Sequence, residues 1–367
     1  MALLWATLVV GGMGLAVSAV AGNPEGAETT PPKFPDGELR AIWWGEVRAK
    51  EREEGLREIH ESVTALREAG FNALFVWGSS LYLAALREEK YVEAVPQAKW
   101  DAFGEVLRAA HEAGMQVHLW YSPWLYKQKY RAVELREHPE WAAVNAAGQA
   151  SEGAVCAARP EVRQFELQMV LGFVERYPAL DGVHLEEPGY PWGEYCFCKF
   201  CREAGRRLFG FDFAERPDDP ARSHFKVLVC NDFVFRLRQE LRRRNPRLLL
   251  SYNGSAGANP DWYIGRDWLT LARHGMLDFY VPQVYTTRTE GFQQRAKETL
   301  QAAAGRVPVC LGLAITYSGI YPRHNTPEEL VRQVKAAREL GAAGIVVFHR
   351  YHLREEERAA LAEVLRD

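Results

Sequence analysis

The chain has 367 residues, 47% of them hydrophobic and 12% aromatic, enough for a large buried core in one big domain or two ordinary ones. Its 45 Lys and Arg are balanced by 48 Asp and Glu, for a net charge of −3. No basic stripe appears, which argues against nucleic acid as a partner.

Residues 1–22, MALLWATLVVGGMGLAVSAVAG, are apolar and hold no charged side chain. Ala19-Val20-Ala21 fits a small-x-small cleavage pattern, so residues 1–21 read as a leader peptide with the mature chain starting near Gly22. The n-region carries only the terminal amine. A retained membrane anchor is the alternative, because about 20 apolar residues can span a bilayer. Residues 22–37, rich in Pro, Gly and Thr and without periodicity, read as a linker. The folded domain is expected over 38–367, and the protein is expected to be secreted or periplasmic, touching a membrane only if the N-terminal segment is kept.

After the linker, short apolar runs alternate with amphipathic helical stretches. The runs are 40–44, 72–77, 115–121, 182–187, 248–253, 277–285, 307–315 and 344–351. Most are continuously apolar, as parallel strands covered on both faces require. Four junctions repeat one device: a helix ends at Gly70, Gly114, Gly275 or Gly341 and a strand begins at once. Glycine closes a helix in the left-handed region without a Cβ penalty. Eight such strands predict a (β/α)8 TIM barrel as a single domain. A doubly wound open sheet is the competitor, but it usually carries a Gly-rich phosphate turn after its first strand, and WWGEVRAKE has none. The surplus over the ~250 residues typical of the barrel falls after the third, fourth and fifth strands, on the face where such barrels carry their sites.

The C-terminal ends of the runs offer Trp44 and Glu46, Trp77, His118 with Trp120 and Tyr121, His184 with Glu186 and Glu187, Asn253, Gln283 with Tyr285, and His349. Ring faces can stack on the C–H face of a sugar, while amide, imidazole and carboxylate groups take its hydroxyls. Loop packing explains any single aromatic equally well, but core positions of barrel strands prefer Val, Ile and Leu. Trp44, Trp77, Trp120, Tyr121 and Tyr285 are therefore expected as stacking walls. Asn253, Gln283 and His349 are expected as hydroxyl partners. His184, below the mouth, is expected to orient rather than transfer a proton, since a lone buried histidine is more often a hydrogen-bonded core residue.

Glu186 and Glu187 end the fourth run. Strand residues alternate in direction, and apolar Val183 and Leu185 should face the helices. His184 and Glu186 then face the interior, and Glu187 starts outward unless Pro188-Gly189 has already turned the chain. A carboxyl crowded by another in an aromatic mouth has a raised pKa, which suits a general acid; a salt bridge to arginine is the plainer alternative. Glycoside hydrolysis normally needs a second carboxyl across the bond. The seventh run ends LAITYSGIYP, without one, and Glu46, Asp261 and Glu290 are the remaining candidates.

Cys196, Cys198 and Cys201 place three thiolates in six residues, and Cys156 in the preceding loop can complete a tetrahedral set. Disulfides are the competing account in an exported protein. Four thiolates leave no open coordination position, so a zinc here would be structural. Cys230 and Cys310 read as buried free thiols. No organic cofactor is implied.

DGVHLEEPGYP, DFYVPQVY, RAIWW and WDAFGEVLRAAHEAGMQVHLWYSPW resemble the bacterial glycosyl-hydrolase-like family 10 proteins, which are barrel glycosidase relatives. The order VCAARPEVRQF, Glu187, CFCKFC is also similar to family 42 β-galactosidases. That resemblance implies Glu187 as the acid/base and Cys156, Cys196, Cys198 and Cys201 as zinc ligands. The sequence departs from family 42 in carrying Glu186 where that family has Asn, and in lacking the seventh-strand nucleophile. The expectation is a glycoside hydrolase acting on an oligo- or polysaccharide, with Glu187 as general acid and Glu186 as its partner or the true catalyst. The alternative is a non-catalytic carbohydrate-binding barrel that has lost its nucleophile.

Overall fold

A computed structural model describes residues 37–49, 51–78, 100–124, 131–191, 195–317 and 323–366. The expected leader and nearly all of the expected linker lie outside the described residues. Eight parallel strands close a barrel: β1 Leu39–Trp44, β2 Ala73–Trp77, β3 Gln116–Tyr121, β4 Gly182–Glu186, β5 Leu249–Ser255, β6 Phe279–Gln283, β7 Cys310–Ala314 and β8 Gly344–Phe348. Their order around the barrel is the order of the chain, with β8 pairing back onto β1 through Leu39 to Gly344 and Ile42 to Val347. Helices intervene between strands, and the architecture is the expected (β/α)8 barrel. Gly70, Gly114, Gly275 and Gly341 all take positive φ, between 64° and 94°, so each closes its helix in the left-handed region as the repeated junction requires.

Alternation along each strand divides the apolar residues into two cores. Leu39, Ala41, Trp43, Ala73, Phe75, Phe279, Val281, Cys310 and Val346 fill the barrel interior. Ile42, Trp44, Leu74, Val76, Val117, Leu119, Val183, Leu185 and Val347 pack outward into the helix layer. The interior is tight where a residue must be small: a Cβ on Gly182 would lie 2.2 Å from Nδ1 of His118. Cys310 is thus an interior thiol, and Cys230 is buried in the helix Pro220–Arg244, where desolvation pushes its thiol up to about 12.

The long segments after β3 and β4 are joined at the C-terminal face. Strands Ala142–Val144 and Ala150–Val155 form an antiparallel hairpin. Phe197 N–H donates to the Val144 carbonyl at 2.8 Å, and Asn145 bridges to Tyr195. No helix among the described residues is long and apolar enough to cross a membrane.

Candidate active site

β4 delivers His184 and Glu186 to the interior because Val183 and Leu185 are claimed by the helix layer. The Glu186 Oε2 accepts the indole N–H of Trp120 at 2.5 Å and the amide N–H of Asn253 at 2.7 Å. Burial pushes its carboxyl up to about 7, and the neighbouring Glu187 adds to the shift. The two donors and the charge of Arg266 pull the other way without cancelling it.

At Glu187 the strand has already turned. Its φ of 41° lies in the left-handed region, a costly conformation for a residue with a Cβ. The Asn253 Oδ1 holds it there by accepting the Glu187 backbone N–H at 2.7 Å. The turn swings the Glu187 carboxylate to Arg266, whose Nη2 donates to Oε2 at 3.1 Å. Arg266 is fully buried, and its Nη1 lies 3.8 Å from Asp261 Oδ2. That same carboxylate oxygen accepts the Ser255 hydroxyl. Arg266 thereby ties the ends of β4 and β5 together. Its place in a loop of unremarkable composition gave no signal in the sequence.

Around Glu186 stands a ring of half-buried aromatics. Trp77 meets Trp120 edge-on with centroids 4.5 Å apart, and Phe348 lies 6.5 Å from Trp120 and 5.7 Å from Tyr285. Beneath them Trp43 contacts Trp120, Phe348 and His184. Gln283 ends β6, half-buried at the mouth, and His349 follows β8 stacked 4.0 Å from His352. Two expected walls are placed elsewhere. Trp44 is fully buried in the helix layer with the Arg350 guanidinium 4.1 Å over its ring. Tyr121 is fully buried in the same layer and donates its hydroxyl to Glu166. Both sit one residue out of phase with the interior, so Trp43 takes the interior place expected of Trp44.

The histidines differ in setting. His184 pairs its Nδ1 with the Ser251 hydroxyl at 2.8 Å, against the Phe75 ring at 4.3 Å, and desolvation holds its pKa well below the usual value. His118 is also fully buried, and desolvation takes it to about 4. Burial and the nearby His352 and Arg side chains bring His349 to about 4 as well. Glu46 lies half-buried just beyond β1, and Glu290 is exposed on the first turn of the helix Thr289–Ala303.

Cys156, Cys196, Cys198 and Cys201 are all buried, with their Sγ atoms within 4.8 Å of one another. Cys156 lies 3.5 Å from Cys201 and 3.6 Å from Cys198. A disulfide needs about 2.05 Å. A tetrahedron of thiolates at about 2.3 Å from a zinc ion has edges of about 3.8 Å, close to these separations. The four sulfurs therefore fit a single tetrahedral ion, and they join the loop after β3 to the loop after β4.

A family model described as Glycosyl hydrolase-like 10 matches residues 38–324. The chain belongs to the glycosyl hydrolase-like 10 family. Among curated proteins no sequence matches significantly. Solved structures share the barrel of this glycosyl hydrolase-like 10 protein at low identity. Gan42B, a GH42 β-galactosidase from G. stearothermophilus, superposes with a TM-score of 0.69 at 16% identity, covering 92% of this chain and 57% of its own. The α-L-fucosidase isoenzyme 2 from Paenibacillus thiaminolyticus gives 0.62 at 15% identity, over 90% and 49%. The PgaB (BpsB) glycoside hydrolase domain from Bordetella bronchiseptica gives 0.64 at 14% identity, over 89% of this chain and 99% of that one. The chain thus spans a little over half the length of the β-galactosidase. At these identities the likeness is one of fold.

Proposed function

We propose that this protein hydrolyses a glycosidic bond at the C-terminal face of its barrel, with Glu186 as the proton donor. The observation that carries the reading is the setting of Glu186: an interior carboxyl at the end of β4, fixed by Trp120 and Asn253, with its pKa pushed up to about 7. A carboxyl still protonated near neutrality can protonate a leaving glycosidic oxygen. Glu187, expected as the general acid, is less suited to that role than Glu186 in this reading, because its carboxylate is engaged by Arg266. In this reading Glu187 sets the electrostatics of its neighbour, and Trp77, Trp120, Tyr285 and Phe348 supply ring faces for the sugar. Gln283 and His349 supply polar groups for its hydroxyls, whereas Asn253, expected as a third, is fully buried with both ends of its amide held by the two glutamates.

A non-catalytic carbohydrate-binding barrel is the second reading, favoured by one observation. No acid occurs from Cys310 through Pro327, the stretch that carries the end of β7. A panel of aryl glycosides and oligosaccharides assayed with wild type, Glu186→Gln and Glu187→Gln separates the two. Turnover by wild type, lost in Glu186→Gln and reduced in Glu187→Gln, supports the enzyme. Binding without turnover in all three supports the second reading.

The four cysteines are proposed to hold a structural zinc ion, on the strength of their burial and spacing. The apolar residues 1–21 support an exported protein, either released or held at a membrane by that segment.

A further inference from the structure

The turn from Asp261 to Arg266 lies beyond β5 and carries the short 3-10 helix Trp262–Ile264. Large apolar side chains that stand nearly half exposed or more among the described residues are Leu208, Leu228, Trp262 and Tyr263. Two of these are consecutive on this one turn, with Trp262 51% and Tyr263 50% exposed. Isolated exposed apolar residues need no explanation, but contiguous ones rimmed by polar groups suit a contact surface.

The backbone beneath them is pinned from several sides. Ile264 is fully buried, and its carbonyl accepts the Tyr190 N–H at 2.7 Å. The Tyr263 carbonyl accepts Lys226 Nζ at 2.6 Å. Gly265 takes a φ of 87°, and a Cβ there would lie 2.8 Å from the Cys230 sulfur. At its two ends the turn is anchored by Asp261 on Ser255 and by Arg266 on Glu187. A turn held this firmly does not fold its aromatics away. It presents them, at little ordering cost, on the same turn whose Arg266 reaches Glu187.

We propose that Trp262 and Tyr263 form a stacking platform for a further sugar ring of an extended carbohydrate whose scissile bond lies at Glu186. The inference rests on the carbohydrate reading above and deepens it: the ligand is an oligo- or polysaccharide rather than a single-sugar glycoside. Exposed indole and phenol rings at consecutive positions suit the C–H faces of sugars, and the partly exposed carboxylates of Asp261 and Glu187 suit their hydroxyls.

The test is calorimetric titration of the full chain carrying Glu186→Gln, with and without Trp262→Ala/Tyr263→Ala. The probes are soluble gluco-, galacto-, manno-, xylo- and N-acetylglucosamine oligosaccharides of about two to six sugars. In at least one series, affinity should rise with length. The double variant should lose about tenfold or more on the longest member and little on the disaccharide. Trp262→Phe/Tyr263→Phe should restore most of the loss, because a ring face returns. Both side chains are surface groups, so thermal melting should change little. Length-dependent binding that the double variant leaves intact overturns the platform while sparing the carbohydrate reading. Failure of the Glu186→Gln chain and of wild type to bind any series overturns both.

Discussion

Asn253 donates from Nδ2 to the Glu186 carboxylate at 2.7 Å while its own carbonyl oxygen takes the backbone N–H of the next residue, Glu187, at 2.7 Å. One buried amide on β5 therefore lowers the proton affinity of one glutamate, against the larger effect of burial, and holds the backbone turn of the other.

Asn253→Ala should raise the pKa of Glu186 further, since a donor to the ionised form is lost. A hydrogen bond to a charged group is worth about 1.5–3 kcal/mol, which corresponds to roughly one to two pH units. The basic limb of the kcat/KM profile should move up in pH by an amount of that order as the maximal rate falls. A profile that loses height without moving would contradict the role given to the Nδ2–H bond.

Glu186 also makes stability depend on pH. Its carboxyl titrates near 4.5 when unperturbed and near 7 in the folded protein. The folded state therefore binds this proton more tightly, and the contribution to stability is complete below 4.5 and lost as pH rises through 7. Glu186→Gln removes the penalty of the buried charge. Its unfolding free energy relative to wild type should become more favourable between about pH 5 and about pH 8, by at most about 3.4 kcal/mol. An offset independent of pH would rule this out.

Arg266 is fully buried between Glu187 and Asp261. Arg266→Met leaves carboxylates without their cation and should cost about 3–5 kcal/mol in denaturant unfolding. Adding Glu187→Gln should recover part of that loss. Strict additivity of the two changes would show that the pair does not interact.

Tyr121 and Trp120 are neighbours in the chain with opposite tasks. Tyr121→Phe takes a donor from the buried Glu166 and should cost about 1–3 kcal/mol of stability with KM unchanged. Trp120→Phe removes the N–H on Glu186 and should alter the pH profile instead. A KM effect from Tyr121→Phe would put that ring back at the mouth.

For the cysteines, elemental analysis of the native protein should find about one zinc per chain, and Cys156→Ser should abolish it. Chelation should lower the melting temperature without adding free-thiol pairing to disulfides. Native protein without bound metal would overturn the site.

The barrel was legible in the chain because its signals are local. Continuous apolar runs, helix-closing glycines and long insertions after strand ends all act within a few residues, and the strands fall within about two residues of the apolar runs at most ends. The phase of β4 was legible too, since Val183 and Leu185 had to be covered. β1 offered no such contrast: Trp43 and Trp44 are equally apolar, and only closure against β2 and β8 decides which one enters the interior. Nothing near Arg266 in the chain announces its partner, because Glu187 lies 79 positions away. Hydrophobic periodicity and turn chemistry are short-range, so the barrel, its open face, and the thiols and carboxyls on the segments that reach it follow from the order of residues alone. Only neighbours distant in the chain settle which tryptophan looks inward, which glutamate has its carboxyl pushed up by burial and which is held by an arginine, because burial and charge are properties of the assembled fold.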